Sequence, residues 1–203
     1  MDIINILPIG IGVFKNSGLS FKQLNFLKNL PRAKNKGNFF TKNIFVLDLP
    51  ELADLKEFVL SSLNKYFEEI IVPKYEVKPI ITQSWANFNF NGSYHHRHNH
   101  PNSYLSGVYY VDTNESDNIV FHRPAPSSIT VQPKKYNLYN SQAVWVPAMK
   151  NHLIIFPSWL DHEVETITDN HNRISLSFNS FLSGKLDEDH SNLSLNTVER
   201  FDA

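Results

Sequence analysis

Arg173-Ile-Ser-Leu-Ser-Phe-Asn-Ser-Phe181 alternates polar and apolar side chains along most of its length. Because successive side chains of a strand point to opposite faces, this alternation predicts a β-strand with one polar face. Trp85-Ala-Asn-Phe-Asn-Phe90 alternates in the same way, with Trp85, Asn87 and Asn89 on one face. These polar faces fit either solvent or an interior pocket. Helices covering the apolar face of the sheet would favour the pocket.

Other short runs of β-forming residues surround these two segments, and turn signals such as Asn91-Gly92 and 168–172 separate them. The predicted strands are 80–90, 104–112, 118–122, 128–132, 142–146, 152–156, 162–167 and 173–181. Many short strands that follow helices predict a mainly β fold. We expect a double-stranded β-helix, which is a jelly-roll or cupin-like core, with flanking N-terminal helices.

Two helices are predicted ahead of these strands. Ser20-Phe-Lys-Gln23 matches a capping box at the start of the first helix. Pro50 supplies a start signal for the second, in which apolar residues recur every three or four positions, namely Leu52, Leu55, Val59, Leu63, Tyr66 (or Phe67) and Ile70. Residues 1–18 are interpreted as an opening strand, and the basic cluster from Lys28 to Lys42 as a solvated loop.

The chain shows no internal repeat and no linker, so we expect a single domain over residues 1–183. Within it, residues 1–75 hold the N-terminal strand and the supporting helices, and residues 76–183 hold the jelly-roll core. A polar C-terminal tail follows in 184–203.

The composition excludes several classes of protein. A hydrophobic fraction of 41% in 203 residues indicates a folded core, and a net charge of −1 argues against nucleic-acid binding. The absence of cysteine rules out thiol nucleophiles, thiolate metal sites and disulfides. No apolar run approaches the length of a membrane span, and no signal peptide is evident, so we expect a cytoplasmic protein.

Tyr94-His-His-Arg-His-Asn-His-Pro-Asn-Ser103 contains four histidines within six residues. His98 and His100 have i, i+2 spacing, which puts both imidazoles on one face of an extended strand, where they can share a metal. His96 with His98 is the alternative pair. His162 is the best candidate for a third ligand because it follows one apolar strand and opens another.

Arg173 and Ser175 follow His162 on one strand face. A buried arginine can hold a carboxylate through two hydrogen bonds, and a neighbouring hydroxyl can add another. The pair therefore suits the distal carboxylate of a short dicarboxylic acid.

The order of these motifs resembles the 2-oxoglutarate/iron(II) oxygenases, whose pattern is His-x-(Asp/Glu), then a distant His, then Arg-x-Ser. His98-Asn-His-Pro-Asn-Ser-Tyr-Leu-Ser-Gly-Val-Tyr-Tyr110 and Leu153-Ile-Ile-Phe-Pro-Ser-Trp-Leu-Asp-His162 look more closely like a subgroup related to prolyl hydroxylases, seen in phages and marine bacteria. The resemblance covers about residues 82–181.

This resemblance implies the cofactors Fe(II) and 2-oxoglutarate, with O2 as co-substrate and succinate and CO2 as products. The implied metal ligands are His98, His100 and His162. Arg173 and Ser175 would bind the far carboxylate of the keto acid, and Asn87 and Tyr110 would line the pocket. The implied reaction hydroxylates a small-molecule or peptidyl substrate that the sequence does not identify.

One departure from the family pattern is that His100 stands where the usual carboxylate ligand would be. The site would then be a three-histidine face with one more positive charge than usual, which a 2-oxoglutarate dianion could offset. Alternatively, an acidic residue elsewhere, such as Asp112 or Asp117, supplies a carboxylate, or the site binds another metal. Asp161 adjoins His162 and should point the opposite way on a strand.

Two other functions remain open. A cupin-like enzyme could use the three-histidine metal without a keto acid, and a jelly roll could act as a binding or structural protein. An inward-facing Arg173 with Ser175 discriminates in favour of the keto acid. Pairing of an exposed edge strand would allow a homodimer.

Overall fold

The computed structural model describes residues 1–124, 129, 131–186 and 194–195. Its strands are β1 Gly12–Lys15, β2 Arg32–Lys34, β3 Phe39–Thr41, β4 Val77–Asn89, β5 His95–His98, β6 Leu105–Asp112, β7 Asn118–His122, β8 Ala143–Pro147, β9 His152–Pro157, β10 His162–Val164, β11 Arg173–Lys185 and β12 Ser194–Leu195. Its α-helices are α1 Phe21–Lys28 and α2 Ala53–Tyr66, and α2 continues as a π-helical turn, Phe67–Ile71.

The strands form two antiparallel sheets. The major sheet has the order β1-β9-β6-β11-β4-β3-β2, with β12 added beside β11. The minor sheet has the order β5-β10-β7-β8. Strands that follow each other in the chain alternate between the two sheets from β4 to β11, apart from the step from β7 to β8. The predicted double-stranded β-helix with N-terminal helices is confirmed.

The predicted helices are present, and both partners of the capping box at Ser20 and Gln23 form their hydrogen bonds. Helix α2 covers the outer face of the major sheet. One buried cluster contains residues of α2 together with those of β11, among them Leu55, Val59, Leu63, Ile174, Leu176 and Phe178. Burial of this apolar stripe is what holds the helix on the sheet.

The polar face of β11 points inward, away from the helix. Arg173 is 3% exposed and Ser175 6%, and Asn87 on the neighbouring strand is also 6% exposed. Register pairs join Ser175 to Asn87 and to Tyr110. Solvent therefore does not explain the alternation in β4 and β11, and the pocket interpretation holds.

The basic cluster predicted as a solvated loop is a β-hairpin instead. Strands β2 and β3 pair with each other, and β3 pairs with β4 at Phe39–Phe88 and Phe40–Asn87. The lysines Lys34 and Lys36 are exposed, as a solvated segment requires. The lysines made the whole segment look solvated, although Phe39 and Phe40 pair with β4.

Among the described residues, the predicted strands at 128–132 and 1–18 differ from what the structure shows. In segment 128–132, Ser128 and Thr130 lie outside the described residues, while Ile129 and Val131 are exposed and not in a strand. The neighbours of β7 in the minor sheet are β10 and β8. The opening strand is reduced to β1, because its pairing with β9 covers only four residues.

The boundary predicted at residue 183 falls inside β11, which ends at Lys185. Most of the segment 187–203 lies outside the described residues, so the division into domain and tail stays a prediction. No helix in the described part of the chain has the length and apolar character needed to cross a membrane.

Candidate metal and keto-acid site

Pairing of β5 with β10 brings the predicted histidines together. His98, the last residue of β5, is the register partner of His162, the first residue of β10. His100 lies two residues beyond the end of β5, and its backbone N–H donates to the carbonyl of Ser158 at 2.9 Å. Two segments that are distant in the chain thereby present three imidazoles to one spot between the sheets.

The three rings offer ligand atoms that all lie within 4.8 Å of one another. The Nε2 atoms of His100 and His162 are 3.2 Å apart. Nδ1 of His98 lies 2.7 Å from the carbonyl of His96, and Nδ1 of His162 lies 2.9 Å from that of Leu160. These carbonyls require Nδ1–H donors, so Nε2 carries the free lone pair in both rings.

Burial keeps these imidazoles neutral. The pKa of His162 is lowered to about 3 and that of His100 to about 4. In both cases removal from water has the largest effect, and the neighbouring His98 lowers the pKa further. The pKa of His98 is also lowered, again mainly by burial. Neutral imidazole is the form that binds a metal, so the donor set fits a divalent cation.

None of the three aspartates considered as ligands joins this cluster. The carboxylate of Asp161 is engaged elsewhere, accepting from Arg97 at 2.9 Å and from Asn99 at 2.9 Å. Asp112 pairs with Lys150 at 2.9 Å.

Asp117 is buried beside the guanidinium of Arg173 at 3.7 Å. His96, the alternative partner of His98, is exposed. Among the described residues, the His98–His100–His162 group is the candidate metal cluster.

The predicted keto-acid anchor lies in the same cleft. Arg173 is almost fully buried, donates from Nη1 to the carbonyl of Asn118 at 3.0 Å, and lies over the ring of Tyr110 at 5.2 Å. These contacts and Asp117 use only part of a guanidinium that has five N–H donors. The remaining donors suit a carboxylate.

Tyr110 adds a buried polar atom beside Arg173. Its hydroxyl has no geometrically acceptable hydrogen-bond partner among the described residues. Burial raises the pKa of Tyr110 to about 12, although the adjacent Arg173 acts in the opposite direction. The group is therefore a neutral donor at pH 7, and a buried donor of this kind calls for an acceptor from outside the chain.

One cleft of about 530 Å³, including its part open to solvent, contains every predicted site residue: His98, His100, His162, Arg173, Ser175, Asn87 and Tyr110. Sequence reasoning missed His95, whose ring stacks on that of His98 with centroids 4.3 Å apart. It also missed Asn38, which no local pattern signals. Trp85 shares a strand face with Asn87, so strand parity could have identified it.

Residues 83–179, just under half of the chain, match the family model described as "Putative 2OG-Fe(II) oxygenase". No sequence among the curated proteins matches the chain. Solved structures do match it in fold.

One similar structure is an oxidoreductase of the 2OG-Fe(II) oxygenase family from Burkholderia pseudomallei, 14% identical, with a TM-score of 0.56 over 78% of this chain and 75% of that chain. Another is HygX from Streptomyces hygroscopicus with nickel, 2-oxoglutarate and hygromycin B bound, 10% identical, with a TM-score of 0.59 over 85% and 82%.

A third is a prolyl hydroxylase from Trichoplax adhaerens in complex with a peptide fragment of hypoxia inducible factor. It is 14% identical, with a TM-score of 0.59 over 85% of this chain and 83% of that chain. The chain is therefore similar to 2OG-Fe(II) oxygenases in the sequence of residues 83–179 and in fold, and this matched segment contains all three histidines of the cluster.

Proposed function

We propose that the protein hydroxylates a C–H bond of a small-molecule or peptidyl substrate, and that it belongs to the prolyl-hydroxylase-like subgroup. One observation carries the proposal: three neutral imidazoles and a buried arginine line the same cleft between the two sheets. Bound Fe(II) would supply the oxygen chemistry, with 2-oxoglutarate and O2 consumed and succinate and CO2 released.

His98, His100 and His162 would hold the metal through one nitrogen each. The carbonyls of His96 and Leu160 keep two of the rings in the correct tautomer and orientation before the metal arrives. Because these orienting bonds are made by the backbone, they do not depend on other side chains. The three rings would thus form a preorganised face for the metal.

Arg173 would bind the distal carboxylate of the keto acid, with Ser175 and Tyr110 as additional donors. Asp117 and the carbonyl of Asn118 hold the guanidinium in place from its other side. Asn87 supports this wall through its hydrogen bond to Ser177 at 3.0 Å. The anchor is therefore held rigidly, which is what orients a bidentate ligand.

Charge balance favours a dianionic co-substrate. Three neutral histidines leave the two positive charges of Fe(II) uncompensated, whereas a carboxylate ligand would cancel one of them. A 2-oxoglutarate dianion offsets both charges, and the charge of Arg173 is already met by Asp117. Burying an uncompensated charge is costly, so metal and keto acid should bind cooperatively.

The main alternative is a cupin-like enzyme that uses the three-histidine metal without a keto acid, and a binding or structural jelly roll is a further one. Neither requires a buried arginine and an unpartnered tyrosine hydroxyl in the metal cleft. A bound keto acid would give both the Arg173 guanidinium and the Tyr110 hydroxyl a hydrogen-bond acceptor.

Anaerobic titration of the Fe(II)-loaded protein with 2-oxoglutarate tests the proposal. We expect a weak visible absorption band that appears only with the keto acid, is lost in Arg173→Ala, and persists in Arg123→Ala. Arg123 is a matched control because it also donates to backbone carbonyls but does not line the cleft. Iron binding without the band would favour the cupin-like enzyme, and no iron binding would favour the structural protein.

Three further expectations accompany this function. We propose a single oxygenase domain over residues 1–183, a cytoplasmic location, and a homodimer formed through an edge strand such as β8, which lies at the end of the minor sheet. Light scattering at several protein concentrations measures the mass, and a monomer at all of them would exclude the dimer.

A further inference from the structure

Asn38 brings a buried oxygen without a partner to the cleft. The residue lies at the end of the turn between β2 and β3, is 4% exposed, and lines the cleft together with Trp85 and Ser177. Its Oδ1 accepts no hydrogen bond from any residue that the structure describes. Leaving a buried acceptor unpaired is unfavourable, so the position calls for a donor that enters the cleft.

A short hydrogen-bond chain determines which end of the amide is left free. Nδ2 of Asn87 donates to the hydroxyl of Ser177 at 3.0 Å. Oδ1 of Asn87 therefore faces Asn38, and Nδ2 of Asn38 donates to it at 3.4 Å. The atom of Asn38 that remains is the carbonyl oxygen, which can only accept a hydrogen bond.

The backbone fixes the turn that carries Asn38. The carbonyl of Gly37 accepts from the N–H of Tyr94 at 3.0 Å, and a Cβ on Gly37 would collide with the carbonyl oxygen of Tyr94. Across the turn, the N–H of Asn35 donates to the carbonyl of Asn38 at 2.8 Å. Since Tyr94 directly precedes β5, the turn is attached to the strand that carries His98.

Trp85 supplies an apolar wall in the same part of the cleft. Its ring lies 6.0 Å from that of His100 at an angle of 31°. Trp85 and Asn87 are two residues apart on β4, so both side chains leave the strand on the cleft side. A flat, half-buried indole beside a proposed metal ligand offers a surface on which a planar group can pack.

We propose that Asn38 and Trp85 form a substrate subsite for a neutral amide N–H or hydroxyl group close to the carbon that is oxidised. This subsite rests on the proposed function, because it assumes that the substrate enters the metal cleft. The Asn38 oxygen selects a donor. No carboxylate is among the described residues that line the cleft, so a cationic donor would find no counter-charge there.

Two small probes that differ in one donor test the subsite: N-methylacetamide, which has an N–H, and N,N-dimethylacetamide, which has none. The full chain is loaded with Mn(II) and 2-oxoglutarate, and relaxation of the probe methyl protons by the metal measures each affinity by NMR. We expect N-methylacetamide to bind roughly fivefold more tightly, as one hydrogen bond implies. The preference should vanish in Asn38→Leu and persist in Asn91→Leu, a substitution at an exposed turn.

Asn38→Asp provides a second variant that retains an acceptor and should retain the preference. Equal affinity of both probes for the wild type, which a water held on Oδ1 would produce, overturns the subsite. The subsite is also overturned if the metal relaxes the protons of neither probe, or if Asn38→Leu still prefers N-methylacetamide. Failure of Mn(II) or 2-oxoglutarate to bind is visible separately by electron paramagnetic resonance, and it overturns the proposed function itself.

Discussion

His98 and His162 face each other across β5 and β10, with ring centroids 4.4 Å apart. Each ring directs Nδ1 toward the carbonyl two residues earlier in the chain, at His96 and at Leu160. The same local arrangement thus occurs on two antiparallel strands and turns both Nε2 atoms toward one point. The strand pairing therefore builds the proposed metal face.

Removal of one of these imidazoles should abolish tight metal binding. We expect His162→Ala to weaken Co(II) binding by at least about 100-fold, because a ligand is lost and a hole opens beside it. His152→Ala is the control, since His152 makes the same contact from Nδ1 to a carbonyl, that of Lys150 at 2.9 Å, but lies on β9 in the other sheet. Visible spectra of Co(II) report both affinities. Similar affinities for the two variants would contradict the assignment.

Strand parity made the polar faces predictable, because it depends only on neighbouring residues. Parity placed Asn87 and Ser175 on polar strand faces that fitted either solvent or a pocket, and the structure shows that both residues are buried. The hairpin that delivers Asn38 was not predictable. Its lysines have the composition of a solvated loop, and its packing depends on pairing with β4, which lies far away in the chain. Local patterns therefore predicted which side chains share a strand face, whereas the order of the strands within each sheet came only from the structure.

His100→Asp tests the charge of the metal face. The substitution introduces the carboxylate that the family pattern has at this position, so metal binding should be retained. The metal face then carries one positive charge fewer, and we expect 2-oxoglutarate to bind roughly tenfold more weakly. Anaerobic titration monitored by the visible band measures the affinity. Tighter binding of 2-oxoglutarate in His100→Asp would contradict the charge argument.

The metal-free protein should lose stability as the pH falls below about 6.5. Burial is the main cause that lowers the pKa of His95 and His162 to about 3 and that of His100 to about 4. The unfolded chain binds protons on these residues near pH 6.5, whereas the folded chain does not. Protons therefore favour unfolding, until the folded state also becomes protonated near pH 3 to 4.

Urea unfolding midpoints between pH 7 and pH 5 measure this effect. His162→Gln removes one of the titrating groups, so its midpoint should fall less steeply with decreasing pH than that of the wild type. A midpoint that does not depend on pH over this range would show that the imidazoles are not held neutral by burial.

Asp117 and Arg173 form a buried ion pair, with 5% and 3% of their side chains exposed. Asp117→Asn leaves the guanidinium without its counter-charge, and we expect the free energy of unfolding to fall by about 3 kcal/mol. Asp112→Asn removes the partner of Lys150 in an ion pair that is more exposed than the Asp117–Arg173 pair. This change should cost less than about 1 kcal/mol. Urea denaturation measures both values. Equal costs would mean that Arg173 does not rely on Asp117.

Gly107 has no side chain, which allows β6 to lie close to the ring of Phe178. A Cβ added at this position would lie 2.5 Å from the ring of Phe178 and 2.9 Å from the carbonyl oxygen of Ile154. We expect Gly107→Ala to destabilise the protein by about 1–3 kcal/mol, because a close-packed core yields little. Gly10→Ala is the control, since its nearest neighbour would be 3.6 Å away.

Phe178→Leu gives the new methyl group of Gly107→Ala more room, so the double variant should lose less stability than the sum of the two single changes. A double-mutant cycle from urea denaturation measures this coupling. Strict additivity would mean that the backbone of Ile154, and not the Phe178 ring, sets the limit on β6. In that case the close approach belongs to the β6–β9 ladder itself, where Gly107 and Ile155 are register partners.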